Sequence, residues 1–255
     1  TDSDEISATA GFSWVTDSGF FGFSYNVHDR EYGTPPEGSD GAEQARIEME
    51  HKKLDLKSEW RFSEGFIEEI RSKLSFTDYQ HNEGNEALFK KDTFEGRIEM
   101  PHRSIGNVDG VFGVQVVSSM FSAEKTEDNT YSVPVTKSRN FSAFVQESFD
   151  IGVTDAQIGL RIEQATVDSH NTKVSESTFT PISISASDMW KIDDQNTINI
   201  GVTRSQRAPQ DQELFFDGTH ETTRTYERGN PNLAMETSYN ADFGYKFNSN
   251  WVSAE

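Results

Sequence analysis

The sequence predicts an all-β, antiparallel transmembrane β-barrel, and three observations predict it. Apolar residues recur with a period of two along most of the chain. The connections between these runs are alternately short and long. Large aromatic residues gather beside the short connections. A soluble sandwich would carry turn signals every 8–12 residues without that alternation, whereas an outer-membrane barrel joins its strands by short turns on one side and longer loops on the other.

The alternation is clear from the first run onward. Ile6, Ala8, Ala10, Phe12 and Trp14 share one face, and after Asp17-Ser18-Gly19 the residues Phe21, Phe23, Tyr25 and Val27 share another. Ile70, Leu74 and Phe76 alternate with Arg71, Lys73, Ser75 and Thr77. Phe112, Val114 and Val116 follow, then Phe141, Ala143 and Val145, then Ile158, Leu160 and Ile162. Ile182, Ile184 and Ala186 lead to Trp190, and Ile198, Ile200 and Val202 come next. In the last full run Tyr239, Ala241, Phe243, Tyr245 and Phe247 oppose Asn240, Asp242 and Lys246.

One run switches parity. Ile47 and Met49 are odd, whereas Leu54, Leu56, Trp60 and Phe62 are even. Either a bulge near residues 50–53 re-aims the strand, or the strand has left the membrane there and the facing rule relaxes.

Short turns are expected near Asp17, Glu64, Asn107, Gly152, Asp194 and Ser249, and long polar loops near 34–44, 82–91, 124–137, 171–178 and 216–235. Trp14, Trp60, Phe62, Phe149, Trp190, Phe247 and Trp251 lie near the short turns, as an interfacial girdle would. This gives about eleven strands and the start of another, half of the roughly 22 in an outer-membrane transporter. Residues 1–255 are therefore expected to be one partial barrel domain, a fragment lacking both the start and the end of its parent.

Composition narrows the function. The 255 residues include 43 acidic and 23 basic side chains, for a formal charge of -20, so no nucleic-acid partner is expected. With no cysteine, disulfides and thiolate metal sites are excluded. Mean hydropathy is -0.70, yet 12% of residues are aromatic, too many for a disordered chain. No apolar run approaches the ~18 residues of a spanning helix. No nucleophile elbow, phosphate-binding loop or His-Glu-x-x-His motif is present, so no enzyme is expected.

The run Arg204-Ser205-Gln206-Arg207-Ala208-Pro209, followed by Glu213-Leu214-Phe215, Gly218 and His220, resembles TonB-dependent outer-membrane receptors. So does Thr225-Tyr226-Glu227-Arg228-Gly229-Asn230-Pro231-Asn232-Leu233 with Glu236-Thr237-Ser238. Tyr32-Gly33-Thr34-Pro35-Pro36, Asp78-Tyr79-Gln80-His81, Phe94-Glu95-Gly96-Arg97 and Pro134-Val135-Thr136-Lys137-Ser138-Arg139 resemble its zinc-uptake branch. The resemblance implies a bacterial outer-membrane receptor, of whose 22-strand barrel this is about half, with the N-terminal plug domain that closes such a barrel absent from these residues. Its expected partners are lipid, a metal ion or metallophore, and the TonB complex reached through a segment outside this chain.

That branch carries a His-rich loop where this chain reads Glu37, Asp40 and Glu43, beside His28 and Asp29. Zn²⁺ accepts both imidazole nitrogen and carboxylate oxygen. The expected metal-handling residues are thus His220, which matches a family ligand by position, with Glu48, Glu37, Asp40 and His28. An exposed loop histidine and a routine lumenal acid are the alternative readings of His220 and Glu48. Zn²⁺ is expected as cargo rather than as a resident cofactor. A siderophore or haem receptor, with Arg204 and Arg207 meeting an anionic chelate, or a passive porin-like barrel, are the rival functions.

Overall fold

The computed structural model describes residues 2–33, 46–84, 87–169, 176–220, 225–248 and 253–254. Its strands are β1 (Ser3–Thr16), β2 (Gly19–Gly33), β3 (Arg46–Arg61), β4 (Glu69–Glu83), β5 (Ala87–Ile105), β6 (Val108–Lys125), β7 (Tyr131–Asp150) and β8 (Thr154–Ser169). They continue as β9 (Glu176–Phe179), β10 (Ile182–Lys191), β11 (Asn196–Arg207), β12 (Asp217–His220), β13 (Thr225–Arg228), β14 (Glu236–Asn248) and β15 (Ser253–Ala254). One helical turn, α1 (Asp211–Phe215), interrupts the series.

Thirteen strands form one antiparallel sheet in sequence order, with β9 paired to β8 off the main path. Both β9 and β10 pair with β8 in a common register, Ala165 with Phe179 and Ile162 with Ile182. They are one strand broken at Thr180 and Pro181, and the Pro181 carbonyl still accepts from the Glu163 amide at 3.0 Å. Taken so, the sheet has eleven crossing strands and the start of a twelfth, as the periodicity predicts.

The register aligns the apolar residues into one band. Phe12 faces Phe23, which faces Leu56, which faces Leu74. Val116 faces Phe141, Leu160 faces Ile184, and Ile200 faces Phe243. Apart from half-buried Leu56 these side chains are exposed in the isolated chain, from 37% at Leu74 to 73% at Phe243. A continuous apolar band of this kind is a lipid-facing surface. The opposite face carries Ser183, Ser185 and Ser187 beside Gly201, Thr203 and Ser205, and is lumenal. Trp14 and Trp60 meet edge to face at 6.2 Å beside the short turns, where the girdle is expected.

Three expectations change. Polar stretches at 82–91 and 124–137 are mostly strand, because β4 runs to Glu83, β5 starts at Ala87, β6 ends at Lys125 and β7 starts at Tyr131. Above the membrane both faces are wet, so polarity there does not mark a loop. β5 and β7, of 19 and 20 residues, far exceed the ~9–11 needed to cross. Second, β3 contains no bulge. Its pairing with β2 and β4 is unbroken from Ile47 to Trp60, so Ile47 and Met49 point into the lumen. The register shifts lie instead between His102 and Ile105, and around Ala123. Third, the 171–178 loop gives way to β9 at Glu176. The 34–44 loop and Trp251 lie outside the described residues.

Face assignment gives a direct test. Leu74→Arg, on the lipid face, should destabilise the intact receptor in bilayers by about 2–4 kcal/mol. Ser75→Arg, one residue away on the lumenal face, should shift the urea midpoint by less than a quarter as much.

Candidate functional site

The site is built on the lumenal wall and on the connection that runs from β11 to β14. α1 packs inward, not outward. Leu214, Phe215 and Phe216 join Phe121, Ala123, Val133 and Val167 in the buried core cluster, with Phe89 against it. This connection therefore folds back over the lumenal face of β5–β8. Leu214 is 1% exposed and Val133 is fully buried, so the anchor is a real core in a sheet that otherwise has little.

Polar contacts hold the anchor in register. Arg207, the last residue of β11, makes two bonds of 2.8 Å to the Glu213 carboxylate and a third of 2.5 Å to Glu236 at the start of β14. Such a fork-to-fork pair is directional as well as attractive. Glu213 also accepts from the Gln210 amide at 2.8 Å, completing a capping box on α1. The return segment then lies on α1: the Gly229 amide donates to the Phe216 carbonyl at 2.7 Å and the Asn230 amide to Glu213 at 2.9 Å. A Cβ at Gly229 would stand 2.6 Å from the Leu214 carbonyl carbon, which is why glycine occupies that position. The Asn230 side chain accepts from the Asn232 amide at 3.0 Å and closes the turn.

Electrostatics follow from these contacts. The Arg207 bonds, then that of the Gln210 amide, hold the Glu213 carboxyl down at about 2. Glu213 and Glu236 raise the Arg207 guanidinium above its usual value. Burial pushes the Asp211 carboxyl up, with Lys91 opposing.

The anchored connection carries the β12–β13 hairpin, in which His220 pairs with Thr225. The Tyr226 hydroxyl donates to Asp217 across it. A Cβ at Gly218 would touch Ser132 Oγ of β7 at 3.0 Å, so the hairpin lies close to β7. His220 thus sits at the hairpin end farthest from the α1 anchor.

His28 is lumenal on β2, directly opposite Ser7 and His51. Its Nε2 lies 3.4 Å from Glu5 Oε1 and is a buried atom without a hydrogen bond. Glu48 points the other way. It shares the even, outward face of β3 with Leu54 and Leu56, between Glu31 and Asn82. The structure does not bring Glu48 and His28 together, because adjacent parity places them on opposite faces of one sheet. Glu37, Asp40 and Glu43 lie outside the described residues. Among the described residues, no group of three or more His, Asp or Glu side chains is arranged to hold a metal. Arg204 likewise faces outward, opposite Ile184 and Tyr239, while Arg207 is paired to glutamate.

Sequence reasoning missed a lumenal row beside His28. His51 faces Tyr79 and Met49 faces His81 on the next strand. His81 stacks on Phe89 at 4.4 Å, and its Nδ1 is buried without a hydrogen bond. The parity switch at Ile47 and Met49 was its signal. Farther down the wall, Arg97 and Arg161 share the Gln115 side-chain oxygen at 3.3 and 3.0 Å. They pair with Glu99 and Glu163 at 2.7 and 3.0 Å.

A family model described as TonB dependent receptor-like, beta-barrel, matches residues 1–255. Among solved structures, the copper transporter OprC superposes with a TM-score of 0.81 at 15% identity, covering 97% of this chain and 44% of that one. The siderophore receptor PirA from Pseudomonas aeruginosa gives 0.71 at 16%, covering 97% and 44%. The Serratia marcescens hemophore receptor HasR, solved as a double mutant with its hemophore HasA and heme, gives 0.77 at 12%, covering 95% and 42%. At these identities the likeness shows the fold. The chain spans less than half the length of each of these structures.

The anchor predicts an acid response. A carboxyl held down by its partner contributes stability that is complete above its ordinary value of 4.5 and is lost as the pH falls toward about 2. Pepsin cleavage within 216–235 of the intact receptor should rise steeply across that window. Glu213→Gln should be cleaved readily at pH 4.5 already. Gly229→Ala should open the same segment at any pH, by the clash with Leu214.

Proposed function

We propose that this chain, which belongs to the TonB-dependent receptor-like β-barrel family, forms part of a receptor that takes up a divalent metal ion, with zinc as the cargo. The family is one of outer-membrane receptors and transporters of Gram-negative bacteria, and its members bind ligands and interact with TonB. In this reading residues 1–255 are a partial barrel domain. A plug and a TonB-contacting segment elsewhere in the protein would gate the lumen and couple it to the inner membrane.

The lumenal histidine row is the observation that supports metal uptake. His28 and His51 are direct cross-strand neighbours, and His81 lies one strand farther on opposite Met49. Directly opposite side chains stand ~4.5–5.5 Å apart at Cβ, a spacing from which two imidazoles can converge on one ion. Zn²⁺ takes imidazole nitrogen at about 2.0–2.1 Å. A lumenal wall offering one or two ligands at a time suits cargo that must leave again. His220 on the hairpin then serves as an outer ligand, and Glu37 and Asp40 stay in this reading as acidic ligands on their chemistry alone. Glu48 has no part in the lumenal step, since it faces outward.

Calorimetric titration of zinc into the full-length receptor in detergent tests this. Wild type should bind saturably, and His220→Ala and His51→Ala should each weaken binding at least ~10-fold, the lower end of what losing even an outer-shell partner of a metal ligand costs. Absence of zinc heat in wild type, alongside tight binding of a ferric siderophore or haem, would replace this reading with the chelate one.

A further inference from the structure

His102 is a buried histidine that the lumenal row does not include, at 6% exposed. It stands opposite Gly110 on β6, two residues beyond Met100 and Phe112, and so shares their outward face. Its partner on the other side is Ile67, in the short connection between β3 and β4. His102 is therefore level with that turn, past the crossing segment.

Three elements close over it. Phe66 of the turn stacks on the imidazole at 5.1 Å and 11°, and reaches Phe112 at 6.4 Å. Glu147 on β7, two residues past outward-facing Val145, crosses β6 to meet the ring. It crosses because position 110 is glycine, where a Cβ would overlap the carboxylate. Arg103 ties down the same turn: its guanidinium donates to the Phe62 and Gly65 carbonyls and its amide to Phe66 at 2.9 Å. The Glu68 amide donates in return to the Pro101 carbonyl at 3.0 Å.

The two bonds of the ring fix its protonation. Nδ1 lies 2.9 Å from the Arg103 carbonyl oxygen, which can only accept, and Nε2 lies 3.1 Å from Glu147 Oε2. A neutral imidazole has one N–H and one lone pair, so it would satisfy one acceptor and turn its lone pair on the other. The imidazolium donates to both, and the Glu147 carboxylate balances its charge. Asp109 on β6, which accepts from Ser104, adds a second negative charge nearby, while the Arg103 cation is taken up by the turn carbonyls.

We propose that His102, Glu147 and the β3–β4 turn form a proton-dependent clasp on the short-turn rim of the barrel. Protonated, His102 binds β5 to β7 beneath Phe66. Deprotonated, it releases Glu147, and the turn loosens. The bond to the Arg103 carbonyl, opposed by burial and then aided by Glu147, raises His102 above its ordinary 6.5. Stability from the clasp is thus complete below 6.5 and is lost as the pH rises through the raised value. The clasp lies on the opposite face from the histidine row and at the other end of the strands, so it is independent of the metal reading.

Hydrogen exchange on the full-length receptor in detergent, read by mass spectrometry and corrected for the intrinsic effect of pH, tests this. In wild type, protection of segments 62–68 and 101–105 should fall about 10-fold between about pH 6 and pH 9, as expected for losing one hydrogen bond to a charged group. Protection of the turn at 192–196 should stay level. Glu147→Gln should remain protected across the same range, because a carboxamide can donate to a neutral Nε2 or accept from a protonated one. A wild-type profile as level at 62–68 as at 192–196 would overturn the proposal, whether or not the variant folds. A Glu147→Gln receptor that loses protection as steeply as wild type would also overturn it, since the proton would then leave some other group.

Discussion

Everything in this structure depends on one constraint: a backbone in hydrocarbon has no water with which to satisfy its amides and carbonyls. Each crossing segment must find its partners in its neighbours, so the antiparallel ladder runs unbroken wherever the apolar band is. Register shifts appear only at its margins, between His102 and Ile105 near the short turns and around Ala123 near the anchor. The ladder leaves the side chains free to differ on the two faces. The outward half matches lipid, and the inward half is left for function.

This division explains what could be read beforehand. Parity alone assigns Phe23, Leu56, Leu74 and Phe243 to the outer face and the Ser183–Ser187 ladder to the lumen, because a period of two has only two outcomes. It fails where the membrane ends. Above the band, polar residues occupy both faces, so Asp128 to Thr136 looks like loop although β7 begins at Tyr131. The same blindness left Ile47 and Met49 open to two readings, a bulge or a strand past the membrane edge, and the unbroken register of β3 fits the second. Applied strictly, parity would have placed Glu48 outside and His51 beside His28. Chemical plausibility at a position carried less information than its parity.

The Arg207–Glu236 stretch was legible as a pattern and opaque as physics. Its fixed residues are a paired cation and cap, three anchors, and a glycine admitted by contact with the Leu214 carbonyl. Their purpose depends on strands some 80 residues earlier in the chain, Phe121 and Val133 among them, which no local reading connects to Leu214. The ordered spacing that identifies the family is therefore the signature of an anchor. In the proposed reading the cargo-facing chemistry lies elsewhere, on lumenal residues such as His28 and His51.

That anchor separates two kinds of sequence freedom. Between Arg207 and Phe216 each residue is measured against a partner, and an insertion there would tear Glu213 from Arg207 or Leu214 from its pocket. Past Asp217 the chain continues as a hairpin and returns at Gly229, with Gly218 held against Ser132 and Tyr226 bonded back to Asp217. Beyond those contacts a change of side chain leaves the anchor and the wall as they are. A lineage can thus retool what it displays at the mouth, His220 included, while inheriting the same wall, so related barrels can diverge in cargo faster than in shape.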